Sequence, residues 1–324
     1  MAKPRVLLTP HFRRMDEIFD RPTVERLHDF AELVWGVDNP MPEDDFLAAL
    51  PDVDALVFGT WEYGGDGIRR AGPRLRAVLE VAGGHSHPEL DYEYLFDRNI
   101  PIGSCAPAFG PAVAEMALAL TLAASRRVVE SDRGFRTGTE RYLHAGNDGA
   151  FSLQGKTVGF IGCGGLARGL QPLLEPFDVT ILGYDPWIQG DELAARGIRA
   201  VASLEEIMGT ADVVYVLAVP TATNRGMISG ELMSRLRPSD VLVVISRAHV
   251  VDFDALTELL IEERFRAGID VFPSEPLAPD HPIRGAGSAV LTAHLAGALP
   301  EALLEIGRMV VDDLETIFDG RPPH

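Results

Sequence analysis

The sequence predicts an α/β protein with two doubly wound parallel sheets. Short apolar runs alternate with stretches of helical character along almost the whole chain of 324 residues. The runs are continuously apolar, which is typical of strands buried on both faces between layers of helices. The first part and the middle of the chain each contain enough runs for a sheet, so we expect two domains. The runs are 6–9, 55–59, 75–81, 100–102, 158–161, 179–184, 213–219, 241–245, 267–271 and 289–292.

Two longer segments predict helices of different character. Residues 111–124 are apolar on every side, so this helix must be covered, either within its own domain or by a second copy of the chain. Residues 300–319 carry apolar side chains at helical spacing and predict an amphipathic helix. Residues 138–149 are rich in glycine and polar side chains, and we expect an exposed connection there.

The composition excludes several classes of protein. With 46% hydrophobic residues the chain can bury the cores of two globular domains. Its net charge of −19 and pI near 4.8 argue against nucleic acids and anionic membrane surfaces as partners, because both would repel it. The two cysteines, Cys105 and Cys163, lack the spacing of a disulfide framework or a metal site and fit a reducing cytoplasm. The first residues contain no apolar stretch long enough for a signal peptide or a membrane span.

The segment 162–167 (GCGGLA) follows an apolar run and has the pattern of a strand-turn-helix that binds a dinucleotide. Gly162 would let the chain turn out of the strand, and Gly164 would let backbone amides approach a pyrophosphate. Gly165 and Leu166 would open a helix whose N-terminal N–H groups favour negative charge. The alternative is a tight turn that uses glycine without binding a ligand.

Asp185 ends the next apolar run, about 20 residues beyond the glycines, where a ribose would present its hydroxyl groups. A carboxylate at this position repels a 2′-phosphate, and no arginine follows within 186–188 to neutralise it. The sequence therefore predicts NAD rather than NADP as the cofactor. The alternative is a solvated turn residue before Pro186.

Four polar residues stand where later apolar runs end: Arg247, Asp270, Glu275 and His294. The carboxyl ends of strands are where open α/β sheets bind ligands. A charge so close to a buried sheet is costly unless it is paired or functional. Taken singly, each has a structural explanation, such as an Arg247–Glu275 ion pair or a hydrogen-bonded His294 at the domain joint. Together they indicate a catalytic site.

These motifs, in this order, resemble the D-isomer-specific 2-hydroxyacid dehydrogenases over nearly the whole chain. The resemblance implies that NADH delivers a hydride to the carbonyl carbon of a small 2-oxo acid. The matching segments are the glycine turn 162–167, Asp185, Pro220 in 218–221, Arg247 in 246–252, Asp270 to Glu275 in 270–276, and His294 with Gly297.

The resemblance assigns roles to these residues. It implies that His294 exchanges a proton with the substrate oxygen, and that Glu275 orients the imidazole and favours its protonated form. Arg247 would bind the substrate carboxylate and polarise the carbonyl group. Asp270 would accept a hydrogen bond from the nicotinamide carboxamide.

Other cofactor and substrate positions carry departures from the family pattern. Pro220 and Ile245 match cofactor-binding positions, but the usual Asn-Thr-Ala before the arginine is Val-Ile-Ser at 244–246, and His249 stands where glycine is common. In the first domain the resemblance assigns substrate binding to a loop that contains Gly84, His85 and Ser86. Two histidines, His85 and His87, replace small apolar residues there. They would either read a polar substrate tail or lie on the surface, and a metal site at this pair is the less favoured interpretation.

The family architecture implies a Rossmann cofactor domain, residues 106–296, inserted into a flavodoxin-like substrate domain formed by 1–105 and 297–324, with the active site in the interdomain cleft. It also implies a homodimer built on the helix at 111–124. Two other functions use the same scaffold. One is a formate or phosphite dehydrogenase, and the other is an NAD(H) sensor without turnover that resembles transcriptional corepressors.

Overall fold

The computed structural model of the protein describes residues 2–83, 87 and 89–321. The chain divides into two compact units. Unit 1 contains the residues up to Phe109 together with those from Ala298 onward, and unit 2 is Gly110–Gly297. The boundaries expected from the sequence, after 105 and after 296, lie four residues and one residue before these divisions (109 − 105 and 297 − 296).

The strands of both units are short and run parallel to their neighbours. In unit 1 they are β1 (Arg5–Thr9), β2 (Glu32–Trp35), β3 (Ala55–Phe58), β4 (Ala77–Glu80) and β5 (Ile102–Ser104). In unit 2 they are β6 (Thr157–Ile161), β7 (Thr180–Tyr184), β8 (Ile198–Ala200), β9 (Val213–Val216), β10 (Val241–Val244), β11 (Arg266–Ile269) and β12 (Ala289–Leu291).

Helices connect the strands of each sheet. They are α1 (Met15–Ile18), α2 (Arg21–Phe30), α3 (Glu43–Ala49), α4 (Tyr92–Asp97), α5 (Gly110–Ser125), α6 (Val128–Thr137), α7 (Gly165–Leu174), α8 (Gly190–Ala195), α9 (Leu204–Thr210), α10 (Gly230–Met233), α11 (Phe253–Ile261) and α12 (Pro300–Phe318). Several begin at a side-chain cap that satisfies a free N–H group of the first turn, as Asp252 does for α11.

The two sheets have the strand orders of two known doubly wound folds. In unit 1 the order is β2-β1-β3-β4-β5, the flavodoxin-like arrangement. In unit 2 it is β12-β11-β10-β9-β6-β7-β8, which is the Rossmann order with one further strand. The fold class predicted from the sequence is therefore confirmed. In such sheets a ligand binds where the strand order reverses, which in unit 2 is between β6 and β9.

Two strands, β2 and β8, were not expected from the sequence. Each lies at the end of its sheet and pairs with one neighbour only. Most of their side chains are partly or fully exposed. An edge strand does not need the continuous apolar run that marks a strand buried on both faces, so these two segments carry no such signal.

The apolar helix α5 packs within unit 2, against α7 and the strand β11. The contact with β11 is so close that a Cβ atom on Gly268 would lie 2.6 Å from the Cβ atom of Leu120. By length and composition the helical stretch Ala106–Ser125 passes as a membrane span, the single such stretch among the residues described, but half of it is buried in the protein. Packing inside the domain thus explains much of the apolar character of this helix.

Candidate active site

The turn after β6 has the geometry that its sequence predicts. Gly162 has a φ of +91°, and a Cβ atom there would lie 2.6 Å from the backbone nitrogen of Ala218. No side chain fits so close to the neighbouring chain, and the left-handed conformation disfavours one further. Glycine is therefore required here by the fold itself, whether or not a ligand binds.

The next two glycines are different because nothing in the described structure crowds them. A Cβ atom on Gly164 or on Gly165 would meet no other atom within 4 Å. They open α7, whose first N–H groups have no intrahelical partner and no side-chain cap among the described residues. Leu166 follows in the first turn, half-buried. Open space beside free N–H groups at a helix N-terminus suits a pyrophosphate, so these residues fit a dinucleotide.

Asp185 lies directly after β7 and braces this turn. Its carboxylate accepts hydrogen bonds from the backbone N–H groups of Cys163 (2.8 Å), Trp187 (2.9 Å) and Ile188 (3.2 Å). Asp185 is thus not merely a solvated residue before a proline. It remains half-exposed, and a carboxylate has about four acceptor sites, so it can also accept from a ribose hydroxyl.

Arg196, which the sequence did not single out, acts on the same turn. Its Nη1 atom donates to the carbonyl oxygen of Cys163 (2.8 Å), so the Cys163 residue is held by Asp185 at its N–H and by Arg196 at its carbonyl. Arg196 follows α8 and has no motif around it that would reveal this contact. The pKa of the Cys163 thiol is raised to about 12, mainly by burial and secondly by the Asp185 charge, with a smaller opposing effect from Arg196.

The segments after β9 and β10 contain three of the predicted residues. Pro220 is partly exposed. Ile245 is 3% exposed, so its side chain is part of the core. Arg247 is half-buried and its Nη1 atom donates to the carbonyl oxygen of Ser246 (2.8 Å). Among the described residues, this is the hydrogen bond that the guanidinium makes. Most of its five N–H donors are therefore available to a ligand.

Asp270, at the end of β11, is fully buried. Its carboxylate accepts three hydrogen bonds, from the Thr292 hydroxyl (2.6 Å) and from the backbone N–H groups of Leu295 (2.9 Å) and Ala296 (3.0 Å). Its backbone carbonyl accepts from the N–H group of His294 (2.8 Å). The carboxylate therefore organises the segment around His294, which is a role that its sequence position did not indicate. Thr292 is a further residue that the sequence did not single out.

His294 and Glu275 form a close pair. Nδ1 of His294 lies 2.6 Å from Oε2 of Glu275, and Oε1 of Glu275 accepts from the backbone N–H of Phe272 (2.9 Å). An ionised carboxylate only accepts, so Nδ1 carries the hydrogen and Nε2 is left for other partners. The His294 side chain is 40% exposed, which makes it reachable. Its φ of +53° is uncommon for a residue with a side chain, and such strain clusters at functional sites.

The sheet brings these residues to one edge. Arg247, Asp270 and His294 follow β10, β11 and β12, which are adjacent and parallel, so their carboxyl ends lie side by side. Glu275 pairs with His294, and the structure shows no ion pair between Glu275 and Arg247 among the residues it describes. A cavity of about 550 Å³ is lined by both members of the pair, with the apolar walls Phe272, Leu277 and Leu291.

In unit 1 the substrate-binding residues expected from the sequence, Gly84, His85 and Ser86, lie outside the described residues. His87 is described and is not on the surface, since 12% of its side chain is exposed. Its Nε2 atom lies 3.2 Å from Oε1 of the buried Glu80, and its backbone N–H donates to the Tyr92 hydroxyl (2.9 Å). Burial lowers the pKa of His87. His87 thus connects Glu80, at the end of β4, with Tyr92, at the start of α4.

Comparison with known proteins identifies the family. Residues 118–296 match the family model for the D-isomer specific 2-hydroxyacid dehydrogenase, NAD binding domain. A glyoxylate reductase of Korarchaeum cryptofilum is 30% identical over 99% of this chain and 95% of that protein. A D-3-phosphoglycerate dehydrogenase of Mycobacterium tuberculosis is 30% identical over 92% of this chain, which spans 55% of the length of that relative.

A solved structure agrees with these sequence relatives. The crystal structure of a phosphoglycerate oxidoreductase from Rhizobium etli has a TM-score of 0.83 and 31% sequence identity, and the match covers 98% of this chain and 99% of that one. The family match covers the glycine turn and the strand ends that carry Arg247, Glu275 and His294. The chain therefore belongs to the D-isomer specific 2-hydroxyacid dehydrogenase family, and its second unit contains the NAD-binding domain of that family.

Proposed function

We propose that the protein reduces a small 2-oxo acid to the D-2-hydroxy acid with NADH, and runs in reverse as concentrations dictate. The observation that carries this proposal is the 2.6 Å contact between His294 and Glu275 at the strand edge that also carries Arg247. An exposed imidazole with one nitrogen engaged by a carboxylate is the arrangement of a general acid and base. A nearby guanidinium with free donors suits a carboxylate-bearing substrate.

Each of the three side chains has a task in this reaction. NADH supplies the hydride when it is bound. Arg247 binds the substrate carboxylate and draws electron density toward the carbonyl oxygen, which favours hydride addition. Nε2 of His294 donates the proton to that oxygen, because Nδ1 is engaged by Glu275. The Glu275 carboxylate orients the ring and stabilises the cationic form that must exist before the proton is given up.

We propose NAD rather than NADP as the cofactor, on the basis of Asp185. A 2′-phosphate beside this carboxylate would be repelled, whereas ribose hydroxyl groups would donate to it. The contact of Asp185 with the Cys163 N–H puts the acid beside the glycine turn, which is where the adenosine ribose lies in dinucleotide-binding folds.

Oxidation of NADH with a panel of 2-oxo acids tests the proposed reaction. The panel contains glyoxylate, hydroxypyruvate, pyruvate and bulkier 2-oxo acids, and we expect turnover of at least one. The relatives are named as reductases and dehydrogenases, which supports turnover over a sensor function. Protein that binds NADH and turns over no member of the panel would contradict the proposal and favour a sensor.

Substitution of His294 tests the proposed proton transfer. His294→Ala should lower kcat by about two decades or more, because it removes the group that protonates the substrate oxygen. Exposed His28, in the last turn of α2, offers a matched control, and His28→Ala should leave kcat unchanged. Similar kcat values for both variants would remove His294 from the reaction.

We also propose that the protein forms a homodimer through unit 2. Large apolar side chains are exposed on α6 and in the segment after it, among them Val128, Phe135, Tyr142 and Leu143. Apolar surface of this extent is typical of a contact between proteins. Light scattering coupled to size-exclusion chromatography should give twice the mass of 35.2 kDa. Leu143→Glu combined with Phe135→Glu should shift the species toward the monomer, and a monomeric wild-type protein would contradict the proposal.

A further inference from the structure

Two loops of unit 2 follow the neighbouring strands β9 and β10, in the half of the sheet that lies beyond the reversal of strand order. The β9 loop consists of residues 217–227, and the β10 loop consists of residues 245–251. In a dinucleotide-binding sheet the second half receives the second mononucleotide, which is the nicotinamide half. Pro220 lies in the first loop and Arg247 in the second. How these two loops are held relative to each other therefore bears on both cofactor and substrate.

The backbones of the two loops are joined near their ends. The N–H group of Gly226 donates to the carbonyl oxygen of His249 (2.9 Å), and that of Ile228 donates to Val250 (3.0 Å). These bonds fix one side of the β9 loop. The other side, around Thr221, is several residues away along the chain and needs a separate contact.

That contact comes from the side chain of His249. Its Nε2 atom lies 2.9 Å from the carbonyl oxygen of Thr221. A carbonyl oxygen can only accept, so Nε2 carries the hydrogen and donates it. On the β9 loop, the N–H of Thr221 donates to Oδ1 of the buried Asn224 (2.8 Å), whose Nδ2 donates to the carbonyl of Val219 (2.8 Å). The β9 loop is therefore stabilised by its own hydrogen bonds through Asn224, and His249 links it to the β10 loop.

The position of His249 links this contact to Arg247. His249 lies in the 3₁₀ helix Ala248–Val250, which begins directly after Arg247. A glycine at this position would have no side chain that could reach Thr221. The loop after Pro220 is therefore held here by a bond that a glycine at 249 does not provide.

We propose that His249 is a positioning residue. It holds the β9 loop, which contains Pro220, next to the segment that follows Arg247, and so orders the nicotinamide side of the site before ligands bind. This inference deepens the proposed function and rests on it for the location of cofactor and substrate. An ordered loop binds more tightly than one that must be ordered during binding, because the entropy cost has already been met. His249 affects affinity through Pro220 and Arg247 and takes no part in hydride or proton transfer.

Three variants test the proposal by fluorescence titration of NADH and by steady-state kinetics on the full chain. His249→Gly should raise the Kd for NADH about fivefold, which is the scale of one net hydrogen bond, and should raise the KM of the 2-oxo acid in the same direction. The kcat value at saturation should change less than about twofold, because the reacting groups are intact. His249→Gln retains a donor of similar reach and should restore most of the affinity. His28→Ala, at the exposed control position on α2, should leave the Kd unchanged.

Added imidazole gives a second measurement on the same variant. It should lower the Kd of His249→Gly for NADH and leave the wild-type value unchanged, because it can occupy the vacated space and donate to Thr221. Thermal unfolding of each variant shows whether it is folded. Equal Kd values for wild type, His249→Gly and His249→Gln would overturn the inference, as would a variant that loses kcat and keeps its Kd. The NADH titration needs no turnover, so the failure of every 2-oxo acid would count against the proposed reaction and leave the His249 result readable.

Discussion

The backbone carbonyl of Asp270 accepts a 2.8 Å hydrogen bond from the backbone N–H of His294, while the Asp270 carboxylate accepts from the two residues that follow the histidine. His294 has a left-handed backbone conformation that costs free energy. The hydrogen bonds that His294 and the two residues after it donate to Asp270 offset this cost. Asp270 thus fixes the backbone from which the imidazole projects, and Glu275 fixes the orientation of the ring.

Asp270→Asn should lower kcat about tenfold or more and reduce the free energy of unfolding by about 1–3 kcal/mol. The amide nitrogen of Asn cannot accept, so at least one N–H group of the His294 segment loses its partner in a buried place. Kinetics and urea unfolding measure the two effects. If Asp270 instead served chiefly to bind the nicotinamide carboxamide, the Kd for NADH would rise and the free energy of unfolding would stay constant.

Thr292→Val is the milder companion of that substitution. It removes one of the three bonds to the carboxylate and keeps the shape of the side chain. We expect a smaller loss of stability than for Asp270→Asn and a kcat between that variant and wild type. A Thr292→Val protein more impaired than Asp270→Asn would contradict the idea that the carboxylate is the centre of this network.

Two glycines of the cofactor turn should respond to alanine in opposite ways. Gly162→Ala should lower the free energy of unfolding by at least about 2 kcal/mol, because its φ of +91° and the nearby Ala218 both oppose a Cβ atom. Gly165→Ala should leave stability unchanged or raise it, since its Cβ would meet nothing and alanine favours a helix. It should nevertheless raise the Kd for NADH about tenfold or more, because the methyl group enters space meant for the pyrophosphate. Unchanged NADH affinity in Gly165→Ala would show that no ligand uses that space.

Asp185→Ala should weaken NADH binding and relax the discrimination against NADPH. The carboxylate is expected both to repel the 2′-phosphate and to hold the Cys163 N–H. Asp185→Asn provides the control, because its side-chain oxygen can still accept from Cys163 while the charge is gone. If charge sets the preference, both variants gain affinity for NADPH, and Asp185→Ala loses more stability than Asp185→Asn, which keeps one of the two accepting oxygens. An unchanged preference in both would remove Asp185 from the ribose site.

Both cysteines should resist alkylation in the folded protein. Burial is the main cause that raises the pKa of Cys105 and of Cys163 to about 12. A raised pKa moves the thiolate to higher pH, so at pH 8 about one thiol in 10⁴ is reactive. Mass spectrometry after iodoacetamide treatment should find no adduct between pH 7 and 9 and two adducts in urea. Rapid modification of Cys163 in native protein would mean that the glycine turn opens readily.

The sequence predicted the central strands well because burial on both faces demands continuous apolar runs. It failed for β2 and β8, since edge strands are exposed and need no such pattern. The run at 213–219 was expected to be strand throughout, whereas β9 ends at Val216 and the remainder forms the loop that leads to Pro220. A sequence cannot show where pairing stops when the residues beyond the strand are still apolar.

For the site, the sequence indicated which polar residues follow the strands better than what they touch. The 2.6 Å contact of Glu275 with His294 agrees with the orienting task expected for the carboxylate. The contacts of Asp270 were not predicted. Its partners are backbone N–H groups, which nearly every residue has, so the sequence does not indicate which of them it binds. Arg196 and Thr292 were missed for a related reason. Their partners lie 33 and 22 residues away, and neither stands in a recognisable motif.

The pairing of β11 with β12 aligns Ile269 with Leu291, so Asp270 and Thr292 leave the sheet side by side. The distance between the His294 segment and the buried Asp270 is therefore set by the register of these two strands. Insertions at the exposed positions 278–280 would lengthen a surface loop and leave that alignment untouched. One extra residue inside Ala289–Leu291 would advance the histidine by about 3.3 Å and turn it to the opposite face. The exposed loop at 278–280 can therefore change in length, whereas the three-residue strand β12 cannot.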